Sequence, residues 1–173
     1  MTPCEASHYY IQRQQYAEAL YACRQWIEED VANPSAYGML GAIYQDSEQP
    51  SYALMCYKKA LDLDPLDGRV YINICRVLQQ TNTNIAAIAY GVKAVELAPE
   101  NMISYMNLGN VYIALGDPET AIACFKTATE LKDVAGLYSA NAFSNIIFAM
   151  DLAETATEQE QQEARKTWNR KFH

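Results

Sequence analysis

The sequence predicts an all-α protein built as a repeat solenoid of antiparallel helix pairs and closed by a C-terminal capping helix. Three observations carry this. Several residue series recur at a fixed interval of 34 positions. Within each interval the apolar residues fall at helical spacing. The 173 residues hold only 7 Gly and 6 Pro while 50% are hydrophobic, a composition that favours helix and a packed core over disorder.

The interval is seen in Ala19, Ala53, Ala87 and Ala121, and in Trp26, Ala60, Ala94 and Ala128. It recurs in Tyr10, Tyr44, Leu78, Tyr112 and Ile146, in Ser7, Gly41, Cys75 and Gly109, in Tyr37, Tyr71 and Tyr105, and from Pro65 to Pro99. Tyr37, Leu40, Gly41 and Tyr44 stand at i, i+3, i+4 and i+7, one face of a first helix, and Ala53, Tyr57 and Ala60 form the face of a second. Turn-rich segments separate them: 46–50, 80–84 and 116–118. Asn33 before Pro34 and Asp117 before Pro118 are N-cap and N1 pairs. The units run near 1–33, 34–67, 68–101, 102–135 and 136–152, so the array spans 1–152 and a capping helix 153–173.

The departures are part of the pattern. The first unit begins inside its first helix and carries Cys23 and Trp26 in place of an aromatic and an Ala. The third has Cys75 for Gly and Gly91 for the aromatic, which makes it the least tightly packed. The fourth has Asp133 in the proline slot. A further first helix follows, about Gly136 to Asp151, with Ser139, Ala142 and Phe143 in place of Tyr, Leu and Gly. Thr157-x-x-Glu160 is a capping box that opens a helix to about Lys171. Ala164, Trp168 and Phe172 share one face of it, suited to covering the apolar end of an array.

The chain resembles the tetratricopeptide repeat, with its interval of about 34 residues and its W-x2-L-G-x2-Y, A-x3-F and P pattern. The best copies are Tyr37-x2-Leu40-Gly41-x2-Tyr44 with Ala53-x3-Tyr57-x2-Ala60 and Pro65, and Tyr105-x2-Leu108-Gly109-x2-Tyr112 with Ala121-x3-Phe125-x2-Ala128. The resemblance implies a right-handed superhelical solenoid, with small residues where the helices of a pair cross, aromatics filling the holes between pairs, and first helices lining a concave groove. A second resemblance lies at the end of the chain. Ser144, Asn145, Phe148 and Ala149, then Trp168 and Phe172, are similar to the junction between repeats and catalytic domain in bacterial O-linked N-acetylglucosamine transferase-like proteins. Asp151 and Leu152 depart from that junction. It implies the repeat region of a larger glycosyltransferase, whose catalytic domain would begin where this sequence ends, or a relative without that domain.

Charge narrows the function. There are 13 Lys and Arg against 21 Asp and Glu, a formal net charge of −8, which disfavours nucleic acid and anionic lipid as partners. No signal-peptide pattern opens the chain, and no apolar run is long enough to span a bilayer. Five cysteines without a CxxC pair indicate a reducing, cytoplasmic setting rather than a disulfide framework or zinc ribbon. Cys56 and Cys124 share a repeat slot and read as packing residues. His8 and His173 stand near opposite ends, and no nucleophile has a base beside it in the pattern. No phosphate-binding Gly loop or metal-ligand spacing occurs, so this chain is expected to be no enzyme and to need no cofactor.

One polar series points to binding. Asn73, Asn107 and Asn141 stand at the same interval on first helices, each just before an apolar face residue. Aligned carboxamides, each with a donor and an acceptor, can pair with the backbone of an extended peptide. The transferase resemblance implies the same use, although Met39 leaves the ladder short. Arg69, Asn73 and Arg76 form a stripe of one helix, where two arginines suit an acidic ligand group or pair with neighbouring carboxylates, and Met106 and Asn110 extend the lining. The expected function is a protein-interaction module that holds a peptide or partner protein in the groove, within a protein O-glycosyltransferase on the second resemblance. The alternative is homo-oligomerisation or an assembly scaffold without a peptide ligand.

Overall fold

The computed structural model describes residues 1–131 and 137–172, with side chains except at 137–139. Asp133 and Gly136 lie outside the described residues, as does the side chain of Ser139. Among the described residues there are ten helices and no strand, divided between two compact units, Met1–Thr81 and Asn82–His173.

The first unit holds α1 (Pro3–Ile11), α2 (Tyr16–Glu29), α3 (Pro34–Asp46), α4 (Pro50–Leu63) and α5 (Gly68–Gln80). Here α1 packs on α2 and α3 on α4 as hairpins, α2 on α3, and α4 on α5. The second holds α6 (Asn84–Leu97), α7 (Met102–Ala114), α8 (Pro118–Glu130), α9 (Leu137–Leu152) and α10 (Glu158–Phe172). In it α7 and α8 form the hairpin, α6 packs on α7, α8 on α9, and α9 on α10.

The expected caps form. Asn33 Oδ1 accepts from the N–H groups of Ser35 (3.1 Å) and Ala36 (3.2 Å), and Asp117 Oδ1 from Thr120 N–H (3.0 Å). Thr157 Oγ1 accepts from Glu160 N–H at 3.3 Å while the Glu160 carboxylate accepts from Thr157 N–H at 2.8 Å. Each satisfies donors that the first turn of a helix leaves unpaired. The short α1 is closed in the same way by Thr2 and Glu5.

One left-handed residue follows each of α1, α3, α5 and α7. Gln14, Glu48, Asn82 and Gly116 have φ of 57°, 59°, 56° and 78°, and they stand 34 residues apart. At three of these turns the next N–H reaches back to a tyrosine carbonyl: Gln15 to Tyr10 (3.0 Å), Gln49 to Tyr44 (2.8 Å) and Asp117 to Tyr112 (2.9 Å). The turn residue's own N–H bonds to Ile11, Gln45 and Ile113 respectively, which completes a Schellman motif. Only at Gly116 does the sequence supply the residue that adopts this conformation without a Cβ penalty.

The core of the α3–α4 and α7–α8 hairpins is a close approach of glycine to an aromatic ring. Tyr57 and Phe125, 0% and 1% exposed, lie against Gly41 and Gly109. A Cβ on Gly41 would stand 2.6 Å from the Tyr57 ring, and one on Gly109 2.5 Å from the Phe125 ring. The aromatics therefore plug the inside of a pair, a refinement of the expectation that they fill holes between pairs. Phe125 also reaches the next helix, in a cluster with Ala121, Ile146 and Ala149. The Tyr57 hydroxyl donates to Gln45 Oε1 (3.0 Å), so the ring is held at its far end as well. Ala53, Ala60, Ala121 and Ala128, each at most 1% exposed, admit the neighbouring helices.

At the C-terminal end α10 rests on α9 without burying a residue fully. Phe172 meets Phe143 edge-on at 5.6 Å, Gln161 Nε2 donates to the Met150 carbonyl (3.0 Å), and Arg165 pairs with Asp151. Ala164, Trp168 and Phe172 are the half-buried face.

A glycine inside a helix normally gains by replacement with alanine. Gly41→Ala and Gly109→Ala are expected to do the reverse, destabilising by about 1–3 kcal/mol because a buried, anchored ring has nowhere to move. Urea titration followed by circular dichroism measures this, and an unchanged or raised midpoint for Gly41→Ala would contradict it.

Candidate functional site

In the first unit the first helices α1, α3 and α5 bound a cleft of ≈ 430 Å³, mostly apolar in lining. Gly38, Met39 and Ala42 of α3 and Val70 of α5 supply apolar walls, and Trp26 of α2 closes one side. Arg69 and Asn73, two of the residues singled out in the sequence, line it together with Asp67, His8 and Cys4. Its shape follows from small side chains. Cys4 and Gly38 occupy the register that Ile72 and Met106 fill in later repeats.

Asp67 organises one rim. Its Oδ1 caps α5 by accepting from Arg69 N–H (3.0 Å), and its two oxygens receive Arg69 Nε (3.1 Å) and Nη2 (2.9 Å). Burial opposes the charge, but the Arg69 hydrogen bond and charge, with the N–H groups of Arg69 and Val70, hold the carboxyl below its ordinary range. The same hydrogen bond and charge raise the Arg69 guanidinium. The pair is lopsided: the Arg69 side chain is 78% exposed and that of Asp67 13%, so the rim presents its positive member to solvent.

Arg76 is not part of this lining. It is exposed, yet its Nη2 donates to Gln45 Oε1 (3.1 Å), the atom that also accepts from Tyr57, while Gln45 Nε2 donates to Gln80 Oε1 (3.3 Å). The stripe of Arg69, Asn73 and Arg76 is thus divided between a cleft and a structural network joining α3, α4 and α5. Burial raises the Tyr57 hydroxyl, partly offset by the Arg76 charge, so the phenol stays a donor.

In the second unit Asn107 is buried, 9% exposed, and Ser104, Leu108 and Gly109 around it on α7 are buried too. Asn141 is exposed. Asn110 Oδ1 accepts from Asn145 Nδ2 at 3.3 Å, a bond between α7 and α9, and Met106 packs against the cluster of Met102, Ala128 and Ala142. Of the residues resembling the transferase junction, Ala149 is buried in the core, Phe148 is 56% exposed, Trp168 is half-buried beside Phe172 on α10, and Phe172 meets Phe143 of α9.

Sequence reasoning missed Cys4, His8, Gly38 and Asp67 as cleft residues. Their signal was there in part: Asp67-Gly68 reads as a helix start, and Gly38 breaks an otherwise bulky register. His8 Nδ1 also stands 3.8 Å from Cys4 Sγ, a base beside a thiol that the spacing did not suggest. It lies 3.0 Å from the Cys4 carbonyl, to which it donates, so its lone pair is not offered to the thiol. Burial pushes the thiols of Cys23, Cys56 and Cys75 up to about 12, 11 and 11, which suits packing rather than nucleophilic roles. Among the described residues no cluster of His, Cys, Asp or Glu could hold a metal ion, and no helix is long and apolar enough to cross a membrane.

Helix hairpins at an interval of 34, plugged by an aromatic on glycine and leaving a cleft between first helices, define a helical-repeat protein. Residues 34–65 and 103–133 match the tetratricopeptide repeat, so each compact unit carries one such repeat. Tetratricopeptide repeat protein 21B of Homo sapiens is 30% identical over 83 residues, 48% of this chain and 6% of that protein. Tetratricopeptide repeat protein 17 of Danio rerio is 23% identical over 96 residues, 54% of this chain and 8% of that one. The chain therefore spans under a tenth of the length of the curated relatives it matches. Among solved structures, MamA of Desulfovibrio magneticus RS-1 aligns with a TM-score of 0.79 at 17% identity, covering 97% of this chain and 90% of that one. Pseudomonas aeruginosa PilF aligns at 0.71 and 20% identity, covering 96% and 86%. At these identities the structures share the fold.

Asp67 gives a pH test. Its folded carboxyl titrates below the ordinary value of 3.8, so its stabilisation is complete above that value and is lost as pH falls through the folded pKa. Asp67→Ala is expected to destabilise by about 1 kcal/mol at pH 7 through loss of the cap. The gap in thermal midpoint from the parent should close as pH is lowered past 3.8; a gap that does not depend on pH would contradict this assignment.

Proposed function

We propose that this chain is a protein-interaction module whose first helices hold an extended segment of a partner protein. The observation that carries the reading is the cleft between α1, α3 and α5, with its apolar walls and the polar Asn73 and Arg69 at its edge. In the first unit Asn73 offers a carboxamide to the backbone of such a segment; in the second, taken by itself, Asn141 does so, with Met106, Asn110 and the buried Asn107 on the neighbouring first helix. Backbone pairing of this kind tolerates many side chains. The net charge of −8 disfavours nucleic acid and anionic membrane as the bound surface, and a cytoplasmic setting agrees with five unpaired cysteines.

Within this reading, a substrate-docking role in a protein O-glycosyltransferase is supported by the resemblance at 144–149 and at Trp168 and Phe172. Self-association as a scaffold is the other use of such an array, and light scattering on the purified chain separates it from peptide binding.

Asn73→Ala and Asn141→Ala are each expected to weaken unrelated peptide ligands, selected from a displayed random library, by similar factors of about 2–10, one hydrogen bond's worth. The thermal midpoint should hardly move for these two. Asn107→Ala should lower it, because that side chain is buried. Unchanged affinity of the triple variant for every selected peptide would remove the carboxamides from the mechanism.

A further inference from the structure

Gly38 and Gly41 lie one turn apart on α3 and have opposite surroundings. Gly41 is required, because a Cβ would collide with Tyr57. Gly38 is not required by packing: a Cβ there would meet only Val70 Cγ2, at 3.9 Å. A helix-interior glycine without such a requirement lowers stability relative to alanine. What it creates is space. The register that holds Ile72 and Met106 in the next repeats is empty at Gly38 and small at Cys4, and the cleft of ≈ 430 Å³ opens there.

We infer that this cleft is an anchor pocket for one bulky apolar side chain, aromatic by preference, of a bound segment that carries a carboxylate within two residues of the anchor. The inference rests on the peptide-binding reading and specifies its ligand. The apolar member follows from the lining: Trp26, Met39, Ala42 and Val70 around the space left by Gly38. An apolar wall of that kind stabilises a ring laid against it by the area it removes from water. The acidic member follows from the rim. Arg69 uses Nε and Nη2 on Asp67, whose carboxylate is largely covered, and is itself 78% exposed, which leaves the outer edge of the guanidinium, with Nη1, open to solvent as a hydrogen-bond donor. Asp67 and Asp64 offset the charge of this guanidinium, so what the rim offers an anion beside the anchor is the donor geometry of its exposed N–H edge.

The test pans a displayed random dodecapeptide library against the full chain, then measures synthetic copies of the enriched peptides by fluorescence anisotropy. Enriched sequences should carry Trp, Phe, Tyr, Leu or Met with Asp or Glu within two positions. Gly38→Leu, which fills the pocket without disturbing Tyr57, should weaken them about tenfold or more. Gly38→Ala, which leaves most of the space, should keep binding and raise the thermal midpoint, and so controls for folding. Arg69→Gln should weaken the acidic peptides several-fold and leave their Asn- and Gln-substituted versions unchanged. Enriched peptides that lack a bulky apolar residue, or that bind Gly38→Leu as well as the parent, would overturn the anchor pocket while leaving peptide binding in place. Arg69→Gln acting equally on acidic and neutral versions would overturn the acidic preference. Failure of any peptide to enrich above a bare surface would overturn the peptide-binding reading itself and the pocket with it.

Discussion

The approach of glycine to an aromatic ring inside a helix pair is the constraint on which the other features depend. With Gly41 and Gly109 lacking a Cβ, the rings of Tyr57 and Phe125 can sit against the first helix and be fully buried. That proximity sets how closely α3 approaches α4 and α7 approaches α8, and the alanines at 53, 60, 121 and 128 extend the same fit to the neighbouring helices. The two repeats with the full plug are the two that match the tetratricopeptide repeat, 34–65 and 103–133. The other repeats solve the same position differently. In the first, Ser7 and Cys23, both 0% exposed, are small and polar and satisfy themselves on the carbonyls of Pro3 and Ala36. In the third, Cys75 and Gly91 leave the bulky member out altogether, and the division between the two compact units falls in the turn of that repeat, after Thr81.

Placing the helices this way also places the chemistry. The first helices of the first unit face a cleft because their ridge is interrupted at Gly38, while the plug one turn on keeps α3 fixed on α4. One glycine type thus serves two ends within four residues: contact at 41 and space at 38. Gln45 links this to α5, since its carboxamide receives both the Tyr57 hydroxyl and Arg76. Arg76 in this position connects the plug to the helix that carries Asn73, and so supports the wall of the cleft from behind.

Much of the fold was legible because a repeat averages over local ambiguity. The 34-residue interval fixed which residues face inward, and Asn33, Asp117 and Thr157 marked helix starts that the structure has. The left-handed turn residues were legible only at Gly116; Gln14 and Glu48 adopt the same conformation because the Schellman bonds around them outweigh the Cβ strain. The site was less legible, since periodicity assigns a side chain to a face but not to a partner. Arg69 turned to the Asp67 that caps its own helix, Arg76 turned to Gln45, and Asn107 was covered by its neighbours. The cleft itself was hidden because it is made by what is missing, at Cys4 and Gly38, from four helices far apart in sequence.

Native-state hydrogen exchange tests the central claim most directly, because it reports the opening free energy of each helix separately. If the glycine–aromatic plug holds the pairs together, the most protected amides lie in α3, α4, α7 and α8. Those of α5 and α6, which belong to a repeat without a plug, then exchange through lower-energy openings. Protection in α5 and α6 equal to or greater than that of the plugged pairs would show that something other than the plug holds the array, and would contradict the account.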